Sequence, residues 1–383
     1  MLPFIKNSVK LTSLQSMPRY HCFTVTCLLL LMSSLCGCRR QPPANETATT
    51  PSTETLQEQL DDILDFTFQE RRLSLEQHAA WQILHGALVY QQDFLVYDRG
   101  QPVPAIGHLL AGHSMRGWNL EPVSQGLSNQ PGLRVIMDEG SKAGQGHADQ
   151  WLAVLAQSGL PPTQTIVVDG TQYTIADLVR QVQWDLPRNL QQEYSWTLIG
   201  LTTYLPTDEE WTASDNQTWS IERLILSETE QDLYDSACGG THRLIGMAMA
   251  VNRHLDQEGK LTGAWQMADD QIQQAIQRAK ATQNTDGSFS TTFLASQRSS
   301  VDLAENLGST GHVLEFLVLA MSDEQLDQPW VQRAVARLAK IFELTKSVDL
   351  ECGKLYHAAH GLALYRDRLY GPRRYQKTAP GSR

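Results

Sequence analysis

The chain predicts an all-α fold built as a ring of about six helical hairpins, and three observations carry that expectation. Six segments share one design: residues 78–90, 147–156, 194–204, 241–250, 311–320 and 356–365 each carry His, Trp or Tyr at their first or second position and continue almost wholly apolar. A helix apolar nearly all round is a buried one, so these six form the inner wall. Amphipathic stretches at 56–70, 175–185, 219–231, 267–283 and 329–345 alternate with most of them and supply the outer partners. Finally, 41% hydrophobic content with nine Trp and eleven Tyr gives this 383-residue chain enough apolar surface for a large core.

Taken in order, the first element is an apolar run at 23–38 that stops at Leu35-Cys36-Gly37-Cys38. It is shorter than the ~20 apolar residues that span a bilayer, and Lys6, Lys10 and Arg19 precede it, as in a secretory signal. Its ending resembles a bacterial lipobox. The resemblance implies cleavage before Cys38 and palmitate-type acylation of that cysteine, with residues 1–37 a signal peptide and Met1 and Met17 both open as starts. The membrane is then a partner through the lipid anchor, and the folded body lies in the periplasm of a bacterial cell envelope. Arg39, where Asp would otherwise follow the acylated cysteine, resembles the signal for export to an outer membrane. Residues 38–55 are rich in Pro, Thr and Ser and poor in apolar side chains, so they read as a disordered tether.

The body runs from 56 to 370. After the first outer helix, Ser74-Leu-Glu-Gln77 has the spacing of a capping box and is expected to open the first buried helix. Residues 92–146 are Gly-rich without sustained periodicity and read as a long loop assembly over one end of the ring. Alternation around Asp169-Gly170 predicts one small β-hairpin at 165–174, and Thr174 with Asp177 caps the helix that follows. Residues 371–383 form a basic tail expected to be solvated.

Net charge is −11, and removal of 1–37, which holds three bases and no acid, makes the balance more negative. Nucleic acid is therefore disfavoured as a partner of the body. Four of the six cysteines fall at or before position 38, leaving Cys238 and Cys352. A disulfide, burial as small apolar residues, or metal binding all remain open for this pair. No Walker-type glycine loop, GxSxG elbow or HExxH helix occurs, which argues against nucleotide hydrolysis, serine esterase and zincin chemistry.

Gln283-Asn-Thr-Asp-Gly-Ser-Phe289 resembles the repeat turn of terpenoid cyclases and protein prenyltransferases, in which a helix ends in Gln, a turn with Asp-Gly follows and an aromatic packs back. This resemblance implies an α/α toroid over 56–370. The segments Gly146-His-Ala-Asp-Gln-Trp151, Ala237-Cys-Gly-Gly-Thr-His242 and Tyr356-His-Ala-Ala-His-Gly361 resemble those of a family of bacterial lipoproteins. Departures from the enzyme motifs limit what carries over. Asp269-Asp270 lacks the first Asp of the cyclase acid motif and reads as a solvated pair. Asp235-Ser-Ala-Cys238 has two residues between Asp and Cys, where the prenyltransferase zinc site has one.

Candidate chemistry gathers at the inner-helix starts, where unpaired N–H groups and the helix dipole favour polar ligands. His78, His147, His242, His312 and His357 are expected to converge on one mouth. His360, Asp149 and Glu315 join them as catalytic or ligand-binding candidates, with carboxylates placed for acid–base work. Cys238 and His242 are one turn apart, as are His357 and His360, so Cys238, His242, Cys352 and His357 are the candidate ligands of a zinc ion. Trp118, Trp151, Trp196 and Trp265 line the funnel or fill the core. Two functions follow from such a funnel. One is an enzyme acting on a glycan or lipid-like substrate; the other is a non-catalytic envelope protein that binds or scaffolds.

Overall fold

The computed structural model describes residues 55–189, 193–373 and 375, and these are mainly helical, at 56% helix and 11% strand. The signal segment, Cys38 and the tether through residue 54 lie outside the described residues. The order of elements is α1 (Leu56–Glu70), α2 (Ala80–Tyr90), β1 (Leu95–Asp98), β2 (Gln101–Pro104), α3 (Ala105–Leu110), β3 (Trp118–Val123), β4 (Gly132–Met137) and α4 (Gln150–Gln157). Then come β5 (Thr165–Val168), β6 (Thr171–Thr174), α5 (Ile175–Asp185), α6 (Ser195–Tyr204), β7 (Glu210–Thr212), β8 (Thr218–Ser220), α7 (Ile221–Thr229) and α8 (Thr241–Asp256). The chain continues through α9 (Gly263–Thr282), α10 (Leu303–Ala320), α11 (Asp323–Leu326), α12 (Pro329–Leu344) and α13 (Cys352–Tyr370).

The six apolar segments of the sequence are α2, α4, α6, α8, α10 and α13. Each packs on the next in that order, and α13 packs back on α2. The amphipathic helices lie against them: α7 on α6 and α8, α9 on α8, α12 on α10, and α1 on α13. Burial follows the same division. In α10 every residue from Asn306 to Val318 is buried, whereas α12 buries one stripe through Val331, Val335, Leu338 and Phe342. The closest pair is α10 with α13. A Cβ on Gly311 would stand 2.5 Å from that of Ala358, and one on Gly361 would stand 3.0 Å from the backbone nitrogen of Glu315. Small residues thus bring the two backbones together, which sets Glu315 directly against α13.

The turn at 283–289 has the expected construction. Gly287 takes φ +91°, Asp286 Oδ1 accepts from the Ser288 N–H and hydroxyl at 3.0 and 2.7 Å, and Phe289 is buried. Gln283 closes it by donating to the carbonyls of Gly287 and Trp330.

Four expectations are corrected. The described residues contain four two-stranded antiparallel hairpins where one was expected. Two of them, with α3, lie in the stretch read as a loop assembly: β1 and β2 are four residues each, too short to show alternation, and β3 and β4, six each, do not alternate strictly. Trp219 belongs to β8 and pairs with Trp211, so the outer helix begins at Ile221 under the Ser220 cap. Ser74 bonds the Gln77 N–H as a capping residue does, but it closes a turn five residues before α2 begins. The basic tail is docked at its start: Arg373 bridges Asp61 and Asp65 of α1, and Tyr375 stacks on Phe68 and Tyr90.

Candidate metal centre

The site is built on the start of α8. Cys238, Gly239 and Gly240 take φ of 50°, 61° and 76°, three successive left-handed residues that turn the chain sharply into the helix. Only glycine fits the second and third positions, since a Cβ there would strike Phe293 at 2.4 Å and the Leu233 carbonyl at 2.5 Å. A non-glycine residue at positive φ is uncommon, and here it carries the thiol. Four residues on, His242 is the second residue of α8, and the left-handed turn, rather than the shared helical face that the spacing predicts, brings thiol and ring within 4.8 Å.

Each histidine of the cluster is anchored through Nδ1. His242 Nδ1 pairs with Glu193 Oε1 at 3.0 Å, and His312 Nδ1 donates to the Gly308 carbonyl at 2.7 Å. His357 Nδ1 pairs with Glu315 Oε2 at 2.6 Å, and His85 Nδ1 donates to the Trp81 carbonyl at 2.5 Å. A carbonyl only accepts, so His312 and His85 carry their hydrogen on Nδ1 and present Nε2 as a lone pair. The four rings meet: His312 and His357 centroids are 4.1 Å apart, His242 and His357 5.2 Å, His242 and His312 5.5 Å, and His85 and His357 4.9 Å. Trp196 and Phe293 wall the cluster at 5.6 Å from His242 and 6.1 Å from His312.

Within it, one donor atom from each of Cys238, His242 and His312 lies within 4.8 Å of the other two. Ligand atoms on a tetrahedral zinc are roughly 3.4–3.7 Å apart, so each pair needs to close by at most about 1.4 Å. His242 Nε2 is buried with no hydrogen-bond partner among the described residues.

The electrostatics divide the histidines. Burial acts most strongly on His242 and opposes its charge, but Cys238 and Glu193 outweigh it and hold the imidazole well above its ordinary pKa. Burial, then the charges of His357 and His242, push His312 well below its usual range. His85 falls to about 3 for the same first reason, with His357 adding to it. Burial would raise Glu193, yet its bond to His242 brings it below the usual carboxylate value. Glu315, fully enclosed, is held well below that value because His357 and His360 overcome its burial.

Of the sequence candidates, Cys238, His242, His312 and His357 come together, and Glu315 holds both His357 and His360 on adjacent turns of α13. Others go elsewhere. His78 sits in the turn before α2, its Nδ1 on Ser74, and the ring that α2 contributes to the cluster is His85. His147 accepts the Asp149 N–H, and the Asp149 carboxylate bonds Thr197 and Asn189. Asp149 lines a separate cavity of about 400 Å³ beside Arg134, Asp185 and Arg188. Burial raises its pKa above the ordinary value. Cys352 is not with Cys238. It shares a face with Tyr356, four residues on, while His357 is five on and points to another side; its thiol meets Gln82, and burial pushes it up to about 11. Both cysteines are free thiols. Trp118, Trp151 and Trp265 are core residues, and Asp269 and Asp270 bond only glutamines of their own helix.

Sequence reasoning missed His85 and Glu193. The signal for His85 was present, since it lies within a segment already read as buried. Glu193 stands just before α6 in no periodic pattern. The chain matches no protein-family model, and no curated protein is similar to it.

Proposed function

We propose that the described body is an α/α toroid of six helical hairpins that works as a zinc enzyme, with Cys238, His242 and His312 as the metal ligands. The observation that carries this reading is the anchoring of both imidazoles through Nδ1, one to a carboxylate and one to a carbonyl, with a thiol beside their free nitrogens. Metal-ligating histidines are oriented by such partners almost always. Three protein ligands leave a fourth position open, the arrangement of catalytic rather than structural zinc. When bound there, zinc supplies a Lewis acid and a water of lowered pKa for attack on a carbonyl or phosphoryl group. Glu193 fixes the His242 ring, and Trp196 and Phe293 exclude water on the apolar side, as a glycan or lipid-like substrate requires. Acylated Cys38 would hold this body at the bacterial envelope, with no role for nucleic acid.

The test is elemental analysis of the full chain purified without chelator. One equivalent of zinc is expected, lost in Cys238→Ser and in His312→Ala while far-ultraviolet circular dichroism stays unchanged. A chain that takes up no zinc on titration overturns the reading. A second reading takes Cys238 as a nucleophile, with His242, oriented by Glu193, as the base beside it. Metal-free protein alkylated by iodoacetamide at Cys238 well ahead of Cys352 would favour it over zinc.

A further inference from the structure

Beside the thiol lies a cavity of about 250 Å³ whose walls include Cys238, His312, Ser309, Arg298 and Lys354. Phe293 also lines it, and Trp196 does not. Two features of its wall are unexplained by the fold. Neither Arg298 nor Lys354 has a carboxylate within ion-pair distance among the described residues, although the chain is strongly acidic. Glu305, also on the wall, pairs with neither cation. The Ser309 hydroxyl, 3% exposed, has no hydrogen-bond partner.

The backbones that carry the two cations are held in place, although Arg298 itself is exposed. Arg298 N–H donates to Ser290 Oγ at 3.1 Å, and its carbonyl accepts from the Thr291 N–H at 3.1 Å and from Asn284 at 3.2 Å. Arg278 ties the same loop by donating to the carbonyls of Leu294 and Ala295. Lys354 stands in the first turn of α13, where its aliphatic stem covers Gly308, the residue whose carbonyl orients His312. The backbones are thus fixed while the charged ends stay unpaired. Such an arrangement lowers the cost of binding an anion and raises its local concentration.

We infer that this cavity binds an anionic oxygen group of the substrate, a carboxylate or a phosphate, with Arg298 and Lys354 as its counter-charges and Ser309 as a hydroxyl donor. The inference rests on the reading of Cys238 and His312 as part of the reactive centre. It narrows the substrate class: the glycan or lipid-like molecule carries a negative group one short cavity away from the bond attacked.

The experiment uses the full chain loaded with cobalt in place of zinc, whose visible bands report the fourth ligand, titrated with inorganic phosphate and with succinate. Saturable binding of one of them is expected, with chloride at matched ionic strength giving none, and the stronger of the two identifies the group. Arg298→Gln and Lys354→Met, which keeps the stem, should each weaken it about tenfold, with metal content unchanged. Equal response to phosphate, succinate and chloride, or unchanged affinity in both variants, overturns the subsite and leaves the metal reading intact. If the chain takes no metal, calorimetric titration of the same anions decides the subsite alone. Binding lost in the two variants then supports it, and no heat of binding overturns it.

Discussion

Replacing Glu315 by Ala removes the acceptor of two buried imidazoles at once. Glu315 is 2% exposed, and its two oxygens take the Nδ1 hydrogens of His357 and His360 at 2.6 Å each. Breaking a buried charged network by removing one partner costs about 3–5 kcal/mol. For a domain of this size that is a fall in melting temperature on the order of 4–8 °C. Glu315→Gln keeps one carbonyl acceptor and should lose about half as much. The pH dependence has a definite sign. The folded-state pKa of Glu315 lies well below its ordinary value, burial being outweighed by the two histidines. A depressed carboxylate contributes stability that is present above its unfolded pKa of about 4.3 and is lost as pH falls through the folded value. The melting gap between the parent chain and Glu315→Gln should therefore be full near neutrality and narrow once pH drops below about 4. Differential scanning calorimetry across that range is the assay. An Ala variant that melts with the parent at neutral pH, or a gap that widens in acid, refutes the network.

Three other perturbations read different parts of the molecule. Glu193→Gln loosens the His242 ring and should weaken zinc about 10–100-fold in a chelator competition; unchanged affinity would mean that the carboxylate does not orient a ligand. Gly287→Ala places a side chain at φ +91° and 2.5 Å from the Arg333 carbonyl, so a loss of at least about 2 kcal/mol in urea unfolding is expected, and a neutral result would remove the turn's structural role. Asp149→Asn should raise the melting temperature near neutrality. Burial raises the Asp149 pKa, so the parent chain loses stability as pH climbs from its unfolded value of about 3.9 through the raised folded one, and the variant's advantage should vanish in acid. An Asn variant that melts lower at neutral pH would mean the charge is needed there.

The packing was legible because burial writes itself into periodicity. A helix surrounded on all sides must be apolar on all sides, and that alone marked the six segments that became α2, α4, α6, α8, α10 and α13. The outer helices were legible from their stripes, with starts and ends within a few residues. The hairpins of residues 92–146 were not: β1 and β2 are four residues each, with Pro102 and Pro104 within β2, and β3 and β4, at six residues each, do not alternate strictly in burial. The centre was half legible for a related reason. Cys238 and His242 are four residues apart, and nearness in sequence pairs them, through a left-handed turn and not the helical face expected. The choice of third partner is a matter of how far each inner helix slides along its neighbour, which sequence spacing does not record. Cys352 opens α13 and turns toward Gln82, whereas His312 is the tenth residue of α10, not at a helix start as expected, and meets His242 and His357 from mid-helix. The same sliding separates His147 and Asp149 from the cluster. The anchors are the least visible part: a carbonyl such as that of Gly308 has no side-chain signature, although it decides which nitrogen of His312 is free. Metal binding as proposed at this centre therefore depends on tautomers set by backbone and carboxylate partners, and a variant that spares every ring but moves those partners should weaken it.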